Sequence, residues 1–125
     1  MDLDHLAELL GVQVIETGDL HPEVNAMYLH HRRMILLRPD LDSFTRRCTL
    51  AHELAHAFHG DTIFGDPRLE RRANQWAAQL LISEDAYRAA ETIHGPHTGA
   101  IAHELEVTPE VVDTWRNINE RIRTP

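Results

Sequence analysis

The stretch Thr49-Leu50-Ala51-His52-Glu53-Leu54-Ala55-His56 constrains this chain more than any other. It lies in a run from Asp40 to His59 with neither glycine nor proline, so the spacing predicts one uninterrupted helix. Residues four apart on a helix stand one turn above the other on the same face. His52 and His56 therefore offer two imidazoles to one small cation. Glu53 is one position round the helix, beside that cation and not on it, where it can take a proton from a water the ion activates. Such a helix still needs a third ligand from elsewhere in the chain, because a catalytic zinc usually has three protein ligands and one open position.

Composition narrows the setting. The 125 residues suffice for one domain with a modest core. A net charge of -8 argues against a nonspecific nucleic-acid or anionic-membrane surface, either of which calls for cations. Cys48 is the single cysteine, so no internal disulfide can form, which points to a reducing interior. No apolar run approaches the ~20 residues of a membrane span. The opening Met1-Asp2-Leu3-Asp4 is acidic and leads into an amphipathic stretch, unlike a signal peptide. The expected location is the cytoplasm.

Taken in order, leucines at 3, 6, 9 and 10 predict a short helix over residues 2–10, stopped by Gly11. Residues 12–15, 24–30 and 33–38 read as strands and predict a small antiparallel sheet of about three. Asp42 or Ser43 can cap the H-E-x-x-H helix, with Phe44, Cys48, Ala51, Ala55 and Phe58 as its buried stripe. Gly60 ends it. Asp66 as cap and Pro67 at the first position start the next helix, running to about Ile82. Ser83 can cap a continuation to about Ile93, and residues 98–106 and 109–122 read as two more helices. The fold class is α+β, in one domain over residues 1–125.

The third ligand follows from the hairpin this predicts. Glu70 lies fourteen residues after His56, and residue 63, midway between them, is the centre of the 60–66 connection. In an antiparallel helix pair the two side chains come to the same height. Asp61, His59 and Asp66 are rival ligands. Asn74, one turn beyond Glu70, can orient a ligand histidine through its other ring nitrogen.

These residues resemble a known family. The helix around His52-Glu53-Leu54-Ala55-His56, followed by Glu70-Arg71-Arg72-Ala73-Asn74-Gln75-Trp76-Ala77-Ala78-Gln79-Leu80-Leu81-Ile82, is similar to the ImmA/IrrE metallopeptidases. The resemblance implies a zincin-like α+β fold and a Zn2+ ion held by His52, His56 and Glu70, with Glu53 as general base. It also implies an endopeptidase whose protein substrate is a helix-turn-helix transcriptional repressor, so that cleavage lifts repression of phage, mobile-element or stress genes. A short member without a fused DNA-binding domain looks phage- or prophage-encoded. The chain departs from many members at Ile82-Ser83, where they carry a proline.

A competing feature occupies the last third. Ile101, Ala102, Leu105, Val107, Val112 and Trp115 fall where a helix-turn-helix puts its core, with Glu106 where the turn glycine usually stands. Its second helix would offer Glu110, Asp113 and Thr114, and the two carboxylates repel phosphate. Direct nucleic-acid binding is therefore not expected, and a docking role is favoured. This feature keeps a second reading open, a non-catalytic metal-stabilised regulator that binds a repressor or DNA. Tyr28, His30 and His31 are candidate second donors to a reacting carbonyl.

Overall fold

The computed structural model describes residues 2–123; Met1, part of the N-terminal stretch discussed above, lies outside them. Helix α1 (Leu3–Leu9) is capped by Asp2, whose side chain accepts from the backbone N–H of Asp4 and His5. Strands β1 (Gln13–Glu16), β2 (Ala26–Leu29) and β3 (Met34–Leu37) follow, then helices α2 (Ser43–His59), α3 (Pro67–Leu81), α4 (Glu84–His94), α5 (Thr98–Leu105) and α6 (Pro109–Arg123). The architecture is α+β, consistent with a zincin-like domain.

The sheet departs from the expected antiparallel arrangement: its order is β1-β3-β2, and it is mixed. β2 and β3 pair antiparallel, Met27 opposite Leu36, but β1 pairs parallel with β3, Val14 opposite Ile35. β3 is therefore the central strand, and β1 and β2 are its two edges. A 3-10 turn (His30–Arg32) and Arg33 in the left-handed region, φ 48°, join β2 to β3 in place of a tight hairpin.

Helix α2 is central, packed on β2 and β3 at one side, on α3 at another and on α1. β3 aims Ile35 and Leu37, both fully buried, at it. Leu50, Ala51, Leu54, Ala55 and Ala57 answer from α2, and Ala73, Ala77 and Ala78 from α3. Small alanines on facing helices let their axes approach closely, which brings α3 within reach of side chains on α2. The expected stripe on α2 ends early. Phe58 is exposed and stacks on Trp76 of α3, ring centroids 5.4 Å apart. Phe58 thus sits at the rim of the α2–α3 interface, outside its alanine-lined core.

The last three helices close the far side. Trp115 is buried on Tyr87, ring centroids 4.3 Å apart, and donates from Nε1 to the Ile82 carbonyl at 3.0 Å. Ile101, Ala102, Val107 and Val112 are buried in the same core. Glu106 adopts φ 58° in the turn between α5 and α6, doing without the glycine that this geometry usually takes. Arg47 of α2 donates to the carbonyls of Leu105 and Glu106, tying that turn to the central helix.

Candidate metal centre

Asp42 caps α2 through Thr45 N–H, Asp66 caps α3 through Arg68 N–H, and Pro67 occupies the first turn of α3. Those caps fix where each helix begins, and therefore which residues face each other across the pair. His52 and His56 project from one face of α2, and Glu70 of α3 meets them. His52 Nε2 stands 2.7 Å from Glu70 Oε2, His56 Nε2 stands 3.2 Å from Glu70 Oε1, and the two Nε2 atoms are 3.2 Å apart. Among the described residues these three form the one group of His, Cys, Asp or Glu able to hold a metal ion.

The opposite ring nitrogens bear on how this group could hold a cation. His56 Nδ1 lies 2.8 Å from Asp61 Oδ2, and His52 Nδ1 lies 2.7 Å from Asn74 Oδ1. Carboxylate and amide oxygens accept, so each Nδ1 donates its proton. An uncharged imidazole that donates from Nδ1 turns a lone pair on Nε2 toward the neighbouring ring and the Glu70 carboxylate, the form in which a histidine binds a metal. A shared positive charge, whether a proton or a metal ion, draws such donor atoms together. Ligand atoms about 2.0–2.1 Å from a tetrahedral ion stand roughly 3.4 Å apart, close to the 3.2 Å separations here. The donor set therefore fits a divalent metal of the zinc type.

Glu53 is 7 % exposed, and burial pushes its carboxyl up to about 7, partly offset by His52 and by a hydrogen bond from the Tyr28 backbone N–H. That bond comes from β2, so Tyr28 turns its N–H away from β3 and toward the site. The histidines, Glu53 and β2 line a cleft of about 710 Å³, closed on its other sides by Thr62, Ile63 and Phe64 and by Thr108, Glu110 and Val111.

The rival ligands go elsewhere. Asp61 sits on the Nδ1 side of His56, behind the ring. His59 Nδ1 is 2.7 Å from the Ala55 carbonyl and its ring turns edge-on to Trp76. Asp66 is spent on its cap. Of the candidate donors, Tyr28 Oη accepts from Arg33 Nη1 at 2.7 Å and lies 2.8 Å from His30 Nδ1. Arginine can only donate, so Tyr28 Oη accepts there, and its contact with Nδ1 ties the His30 ring to the Arg33 side chain. Neither Asp61 nor Arg33 stood out in the sequence as a partner. One signal was there for Asp61: an acid directly after the C-cap glycine, where the helix dipole disfavours it.

Comparison with known proteins agrees with this geometry. No curated protein matches the chain. The model of the IrrE N-terminal-like domain, a peptidase family, matches residues 7–114, which include the H-E-x-x-H helix, the Glu70 helix and all three strands. The match spans well over half of the chain, and the protein belongs to the IrrE N-terminal-like family of metallopeptidases.

Proposed function

We propose that the chain is a zinc-dependent endopeptidase acting on a protein substrate, in which His52, His56 and Glu70 hold the ion and Glu53 is the general base. One observation carries this reading: three candidate ligand side chains converge beside a buried carboxyl at the wall of an open cleft. A zinc ion bound there would make water a nucleophile near neutral pH and polarise the scissile carbonyl.

The residues divide the remaining work. Glu53 takes the proton from the attacking water and passes it to the leaving amine. Asn74 fixes the ring angle and tautomer of His52. His30, its ring held at Nδ1 by the Tyr28–Arg33 chain, is the candidate donor to the carbonyl oxygen as charge builds on it. The outer edge of β2 is suited to pairing with an extended peptide as an added strand. The chain works as one unit, α6 and Thr108 before it lining the cleft and α5 contributing to the core. The proposed substrate is a helix-turn-helix repressor, on the strength of the resemblance to repressor-cleaving peptidases.

Co-expression with candidate repressors tests this. Truncated repressor with the wild type, and intact repressor with Glu53→Gln that retains one zinc per chain, is the expected result. Cleavage by Glu53→Gln at the wild-type rate would remove Glu53 as the base. An intact repressor in a stable complex with the wild-type, zinc-loaded protein would point instead to a non-catalytic regulator.

A further inference from the structure

We propose that Asp61 is a positioning residue for His56 and that Arg72 holds it there, an inference resting on the metal-site reading above. The local chain geometry is specific. Gly60, φ 69°, takes the left-handed conformation that ends α2, and its N–H donates to the Ala57 carbonyl. The chain then folds back, so the Asp61 N–H donates to the His56 carbonyl at 2.9 Å. The side chain repeats the attachment, with Oδ2 2.8 Å from His56 Nδ1. Asp61 thus grips both the backbone and the ring of one residue. Its second oxygen, Oδ1, accepts from Arg72 Nη2 on α3.

Two features set this apart from an ordinary helix-end ion pair. A carboxylate at a helix C-terminus faces the negative end of the dipole and is unfavourable there. The Asp61 side chain is nevertheless only 7 % exposed, so it is desolvated in an adverse field, with Arg72 as its compensating charge. Arg72 is also two residues past Glu70. The Arg72–Asp61–His56 chain therefore couples the helix carrying two ligands to the helix carrying the third, beside the point where they must meet. His52 receives only the neutral Asn74 amide. The two imidazoles are thereby made unequal: His56, backed by a buried carboxylate, is the more tightly oriented one.

The readout is metal affinity, measured by competition with a chromophoric chelator on the purified protein. Asp61→Asn keeps the shape and the acceptor but loses the charge. It is expected to bind zinc 10–100-fold more weakly while its metal-free melting temperature stays near the wild-type value. Asp61→Leu should lose more. Arg72→Met, which keeps the stem, should lose part of the same affinity, and its combination with Asp61→Asn should fall short of the product of the two effects. The absorption bands of the cobalt-loaded protein should shift in Asp61→Asn. Zinc affinity in Asp61→Asn within twofold of wild type overturns the proposal, as does a stability loss with affinity unchanged. If Asp61→Asn fails to fold, unchanged affinity in Arg72→Met overturns it. A wild type that binds neither zinc nor cobalt removes the metal-site reading as well, whereas a metal-binding wild type with an indifferent Asp61 removes this proposal alone.

Discussion

The Nε2 atoms of His52 and His56 stand 3.2 Å apart with their ring planes 83° from parallel, and each ring gives its other nitrogen to a different helix-end or helix-face acceptor. With their Nδ1 atoms engaged, the two rings leave their Nε2 atoms to face a shared cation, and binding of one should show in the energetics of the fold.

Metal removal is the direct check. A ligand that binds only the folded state stabilises it by about 4 kcal/mol at a thousand times its dissociation constant. For a chain of this size that corresponds to roughly 10–20 °C in melting temperature. Calorimetry with and without a strong chelator should show a drop of that order. In Glu70→Ala the chelator should make little difference, because a ligand has already been lost.

The pH dependence of the metal-free protein should carry the mark of Glu53. Burial raises its carboxyl from the usual 4.5 to about 7, so the folded state binds a proton more tightly than the unfolded chain does. Its contribution is fully present below about pH 4.5 and is lost as pH rises through about 7. The loss is on the order of 3 kcal/mol at most. Denaturant titrations of metal-free wild type and Glu53→Gln, run from pH 5 to 8, should differ in slope with pH, the variant being flatter. Parallel slopes would mean that the carboxyl is not buried as described.

Gly60→Ala isolates the backbone at the end of α2. A Cβ there would meet His30 Cε1 at 3.8 Å, an ordinary contact, so space is not the obstacle. The obstacle is φ 69°, which costs an L-residue about 1–2 kcal/mol. Because Asp61 follows directly, relaxation of this turn should weaken metal binding as well as lower the melting temperature. Both are measurable on the same sample.

Trp115→Phe examines the C-terminal helices. The substitution keeps most of the stacking on Tyr87 but leaves the Ile82 carbonyl without its Nε1–H donor. A buried unsatisfied acceptor costs about 1–3 kcal/mol. Chemical denaturation should register that loss, with zinc affinity unchanged because the ligands lie on α2 and α3.

Much of the fold was legible because it is local. Caps at Asp42, Asp66 and Ser83, the glycine after His59 and the proline at 67 act within a turn of themselves, and helix ends fall within about a residue of the sequence expectation. The H-E-x-x-H spacing and the symmetric distance to Glu70 across the 60–66 connection likewise need only helix geometry and a hairpin.

Other features depended on what lies far away in the chain. The sequence does not say on which side of β3 the first strand pairs, because either edge accepts the same four residues; the crossing link and the packing of α1 and α2 decide it. Phe58 looked like core by periodicity, yet it is exposed, because it falls at the rim of the α2–α3 interface, on Trp76, beyond the alanines that fill its centre. Asp61 could be read as a ligand from its position near His56, but a ring has two nitrogens, and only the left-handed turn at Gly60 determines which one the carboxylate reaches. Sequence alone determined which groups could bind a cation, since short-range helical periodicity places them. Tertiary packing decided which atom of each points inward, since that depends on partners drawn from separate elements.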